Sequence, residues 1–261
     1  MPQESPVFFS DAPSPFDLNF RILGIPVRVQ PWFWLIMAML GWGITDKLDY
    51  LLVWVLCGFV SIMVHEFGHA LAYRLFGSWA AVTLHGFGGF AQTNNPPREA
   101  WQRLLVSAAG PAAGFALVGV VLVSDLAMGW SRTNAYLLVA SKFLLWMGIF
   151  WNILNLLPIW PLDGGKIARE VFAMMRLRNP DILVHTISIV IAGVLAAYGI
   201  ASAMHIPVPV IDQLLGFYRP SLMMTIWFGL FAYQNYQMLQ IYRQQQHFYR
   251  HHDDDSPPWR R

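Results

Sequence analysis

The residues best suited to chemistry in this chain are His65-Glu66-Phe67-Gly68-His69. On a helix, two histidines at i and i+4 share one face. Their imidazoles can take two corners of a zinc tetrahedron. Glu66 follows the first histidine and can reach a water bound to that metal. Zinc lowers the pKa of such a water toward ~7, and a carboxylate then accepts its proton. Metal hydroxide with a general base is a mechanism for amide hydrolysis. A pattern this short also arises by chance on solvated helices. Here the surrounding run is apolar, and Phe76 lies about 16 Å further along the helix. A charge at the centre of a span costs roughly 2.5–3.5 kcal/mol. An ionisable group at that depth needs a partner, and a metal with its water provides one.

Two imidazoles leave zinc short of the three protein ligands usual for a catalytic site. Asp163 is the leading third ligand. It lies in Asn155-Leu156-Leu157-Pro158-Ile159-Trp160-Pro161-Leu162-Asp163-Gly164-Gly165. Two prolines stop a helix there, and two glycines free the backbone. Breaking a helix at a carboxylate is costly in lipid unless the site is functional. The plain alternative is an exit loop with an exposed aspartate. His85, in His85-Gly86-Phe87-Gly88-Gly89-Phe90, is the rival ligand, although a lone histidine in a glycine-rich loop more often only hydrogen-bonds. The single cysteine, Cys57, excludes an internal disulfide and a cysteine zinc site.

The elements that must hold these groups are apolar. Of 261 residues, 56% are hydrophobic and 12% charged, against about 25% charged in soluble domains. The bilayer is the expected solvent. The spacing predicts an all-α polytopic membrane protein with six transmembrane helices, near residues 29–45, 51–76, 104–124, 135–157, 183–203 and 222–239. A Gly-rich, membrane-associated β-loop is expected between the second and third, over residues 79–95. Of 17 Lys and Arg, this map puts Lys47, Arg132, Lys142 and Arg219 outside. The other 13 fall inside, so both termini are expected in the cytoplasm. An amphipathic helix over residues 164–177 is expected to lie at the inner interface. A net charge of +2 with no dense basic block excludes nucleic acid as a partner. Residues 1–20 read as a flexible N-terminal segment without the features of a signal peptide. Residues 21–240 form the transmembrane domain, and 241–261 a polar, fraying tail.

Together, HEFGH within a span and NLLPIWPLDGG at the end of a later one resemble the site-2 protease family of intramembrane zinc metalloproteases. The GFGGF loop and Ala109-Gly110-Pro111-Ala112-Ala113-Gly114 carry the same likeness. It covers roughly residues 53–178. The resemblance implies one Zn2+ held by His65, His69 and Asp163, with Glu66 as base. It implies that Asn155 holds the substrate backbone or its oxyanion. Gly86, Phe87, Gly88 and Gly89 would pair as a strand with an unwound substrate. One position departs from the family pattern: Gly114 stands where an asparagine is usual, and packing is expected of it. The chain resembles a minimal six-span member without PDZ or CBS domain, in a prokaryotic cell membrane.

The expected function is therefore an intramembrane zinc endopeptidase acting on a membrane-anchored protein substrate. The alternative is a non-hydrolytic zinc-binding membrane transporter, since histidines and carboxylates in spans also mark ion pathways. Such a site has no use for Glu66. A catalytically dead scaffold that binds membrane helices is the third reading, and the intact HEFGH speaks against it.

Overall fold

A computed structural model describes residues 14–45, 47–86, 88–206, 208 and 222–254. They divide into two compact units, one from residues 1–96 with 112–152, the other from 97–111 with 153–261.

In the first unit, the first described elements form a hairpin, β1 (Leu18–Ile22) and β2 (Ile25–Val29), paired antiparallel. Ile25, Val27 and Val29 are buried while Pro26 and Arg28 alternate with them, the period-two pattern of a half-buried strand. Pro31 then opens helix α1 (Pro31–Trp42), where a missing N–H does no harm. Helix α2 (Leu48–Leu75) follows. The chain returns to the sheet as β3 (Ala81–His85) and β4 (Gly88–Gln92), giving the order β1-β2-β3-β4. β3 lies parallel to β2 and antiparallel to β4.

Ile25, Val27 and Val29 share a core with Phe33 of α1, Ile62 and Phe67 of α2, and Val82 and Leu84 of β3. That core fixes α2 against the sheet. Helix α1 clamps it from another side: the Trp54 indole donates to the Met37 carbonyl at 3.1 Å. Helices α3 (Ala100–Met128) and α4 (Ala135–Asn155) complete this unit with their residues 112–128 and 135–152. Gly148 of α4 abuts Val118 of α3 with no room for a side chain.

The second unit holds α5 (Asp163–Met174), α6 (Pro180–Ala203) and α7 (Leu222–Asp254). Ile159, Ala192 and Phe228 form its apolar core. Its charges are arranged as a chain: Glu170, buried on α5, accepts from Arg103 at 2.7 Å and Arg169 at 2.8 Å, and Arg169 also holds Asp181 at 2.7 Å. Glu170 is thus buried with two guanidinium partners.

The all-α expectation needs correction, because the protein is mostly helical with a small four-stranded sheet. β1 and β2 run from the end of the expected flexible segment to the start of the first expected span. The alternation at 25–29 is short and lies just ahead of a longer apolar run. Among the described residues, α2, α3, α4 and α6 are long and apolar enough to cross a membrane, and α1 is a shorter apolar helix. Helix α7 covers the sixth expected span and continues to Asp254, through residues read as the tail. Residues 255–261 lie outside the described residues.

Candidate metal and hydrolytic site

Helix α2 carries the whole HEFGH motif in regular conformation, so spacing alone sets the two imidazoles on one face. His65 and His69 are 2% and 6% exposed. Their Nε2 atoms lie 3.2 Å apart, with ring planes at 80°. Two nitrogens bound to one tetrahedral zinc at ~2.0–2.1 Å stand roughly 3.3 Å apart. The pair therefore fits two corners of such a metal.

The outer side of His65 is set by Asn152 of α4. The His65 Nδ1–H donates to Asn152 Oδ1 at 2.8 Å. The Asn152 amide N–H2 donates in turn to the Gly148 carbonyl, one turn back on its own helix. Asn152 is 2% exposed. Sequence reasoning missed it. The signal was there, since an asparagine inside the run Phe150-Trp151-Asn152-Ile153 needs a partner for the same reason as Glu66.

Glu66 is buried, and Gly89 of β4 sits directly against it. A Cβ at Gly89 would stand 2.6 Å from Glu66 Cγ and 2.7 Å from Leu84 Cδ2, inside contact distance. Glycine here is a requirement of close approach, and it brings the backbone of an edge strand to the carboxylate. Gly88 has φ +131° and faces the Trp151 ring, a conformation that suits glycine. Gly86 lies in the turn after β3, tight against Ile36. Phe87 lies outside the described residues. His85 ends β3 with its ring 5.5 Å from Phe90. Among the described residues no cluster of metal-ligating side chains includes it.

In the second unit, Asp163 is the first residue of α5 and is 3% exposed. The helix N-terminus favours its negative charge, and Lys166 Nζ lies 3.1 Å from its Oδ1. The two glycines after it act differently from expectation. Neither has a positive φ. A Cβ at Gly164 would overlap the Leu156 and Leu157 carbonyls, and one at Gly165 would stand 2.5 Å from the Trp160 nitrogen. They let the first turn of α5 lie on the backbone of the loop before it. That loop is held again at Trp160: its N–H donates to Ser188 Oγ at 2.8 Å, and its carbonyl accepts from Asn235 Nδ2 at 2.6 Å. Asn235 Oδ1 also accepts from His185 Nδ1 at 2.7 Å. Asn155 ends α4, half-buried, at the start of the loop.

A protein-family model described as peptidase family M50 matches residues 53–141 and 126–200, more than half the chain. The chain belongs to peptidase family M50. It is 30% identical over 156 residues to a zinc metalloprotease of Methanocaldococcus jannaschii, covering 59% of this chain and 44% of that protein. It is 30% identical over 164 residues to stage IV sporulation protein FB of Bacillus subtilis, covering 57% of this chain and 48% of that protein. The matches thus span less than half the length of these relatives. The fold is that of the site-2 protease from Methanocaldococcus jannaschii, with a TM-score of 0.52 and 21% identity over 86% of this chain and 95% of that one. With four long apolar helices among the described residues, this M50 member is a multi-pass membrane protein.

Proposed function

We propose that this M50 protein is an intramembrane zinc endopeptidase that cuts membrane-anchored substrate proteins within or beside the bilayer. The observation that carries the proposal is the buried imidazole pair with Glu66 beside it, at the edge strand β4. His65 and His69 would hold Zn2+ with Asp163, each offering one ligand atom and each buried. When bound, the zinc supplies Lewis acidity and acidifies water. Glu66 takes a proton from the attacking water as the C–O bond forms. It returns a proton to the amide nitrogen as the C–N bond breaks. Asn155 would hold the substrate carbonyl oxygen.

A helical peptide bond is shielded by its own hydrogen bonds, so the substrate must unwind. The edge position of β4 supports strand addition there through Gly88 and Gly89, with Gly86 and Phe87 proposed to extend that contact along the Gly-rich run. Transport is disfavoured because it has no use for Glu66, a carboxylate next to a ligand pair. Six spans with both termini in the cytoplasm, α1 and α7 being the first and last, fit the basic inner loops.

The test uses tagged Glu66→Gln protein in native membranes. Co-purified proteins, identified by mass spectrometry, should be cut by wild-type protein in detergent. The variant should keep its zinc by elemental analysis and lose at least ~10²-fold in cleavage rate. Undiminished cleavage by the variant overturns the role of Glu66. Purified wild-type protein without zinc overturns the hydrolase reading.

A further inference from the structure

We infer that Asn152 is the positioning residue that fixes His65 for metal binding, and that Gly114 exists to make room for it. The inference rests on His65 being a zinc ligand, as proposed above. The Gly148 carbonyl can only accept a hydrogen bond. It therefore fixes which end of the Asn152 amide faces it: the N–H2 end. Oδ1 is then left pointing at His65, and an oxygen acceptor there requires the proton on Nδ1. A neutral imidazole with Nδ1 protonated donates electrons through Nε2, the atom that faces His69. One backbone carbonyl thus sets the tautomer of a ring on another helix. Ring orientation and ligand basicity are both set by such a partner.

The independent observation is on α3. A Cβ built at Gly114 would overlap Nδ2, Oδ1 and Cγ of Asn152. Any larger residue at 114 would displace the amide. Gly114 and Asn152 are therefore one device, in which α3 yields the volume that the α4 side chain fills. This revises the packing role expected of Gly114, because the space it leaves is occupied by a hydrogen-bonding group.

Four proteins test this: wild type, Asn152→Ala, Gly114→Ala and the double variant, each purified in detergent. Zinc affinity is read by chelator competition. Both single variants should bind zinc 10- to 100-fold more weakly than wild type. The double variant should be no weaker than Asn152→Ala alone, because truncating the asparagine side chain has already vacated the space. Unchanged affinity in Asn152→Ala, or additive losses in the double variant, would overturn the inference. A second measurement needs no variant. Nitrogen-15 spectra of zinc-free, histidine-labelled wild type should show the His65 proton on Nδ1, and a proton on Nε2 refutes the inference outright. If wild type binds no zinc but His65 carries its proton on Nδ1, the metal reading fails while the Asn152 arrangement stands.

Discussion

His65 and His69 ride on an unbroken helix, whereas Asp163 follows a helix that has been stopped. In the first unit, the periodicity of α2 sets the pair. Supports then come from outside: a sheet behind, Gly89 against Glu66, and Asn152 across from another helix. In the second unit, no regular element reaches Asp163 from its N-terminal side. The loop at 156–162 is positioned by contacts to its backbone, from Gly164, Gly165, Ser188 and Asn235. Side-chain supports can give a little, and backbone-on-backbone contacts cannot. The second region should therefore be the more brittle.

The largest effect is expected where no atom can yield. Gly164→Ala drives a Cβ into two carbonyls and should destabilise by about 3 kcal/mol, with loss of bound zinc. Thermal unfolding in detergent and elemental analysis check it. If this variant is as stable as wild type, the contrast between the regions is gone. Gly89→Ala meets a flexible side chain instead, so the fold and zinc content should survive. Displacing Glu66 should still lower cleavage by up to ~10²-fold, since small misplacements of a reacting group are costly. Asn235→Ala strips partners from the Trp160 carbonyl and His185, and should cost about 1–3 kcal/mol in unfolding free energy. Gly119→Ala is the comparison point: nothing lies within 4 Å of its Cβ, and stability should stay within about 1 kcal/mol of wild type. A large loss there would mean that α3 is packed differently.

Much of the site was legible because depth in a membrane makes polar residues conspicuous. His65, Glu66 and His69 stand out in an apolar run, and Asp163 follows two prolines. Asn152 was legible by the same rule and was passed over in favour of Asn155, which sits in the more noticeable proline-rich string. The role of Gly114 could not be read, because it depends on which side chain of another helix arrives opposite it. The glycines after Asp163 were noticed for the wrong property: their composition suggests freedom, and only the fold reveals crowding. β1 and β2 were lost to a window sized for helices, although Ile25, Val27 and Val29 alternate plainly.

The hydrogen bond between His65 and Asn152 joins positions 87 residues apart in the chain. During synthesis, α2 leaves the ribosome long before α4. Until α4 is inserted, His65 has no amide to orient it. If His65 is a zinc ligand as proposed, loading in the native geometry would follow the entry and docking of α4. As the proposed protease, the protein would thus stay inactive until α4 is in place.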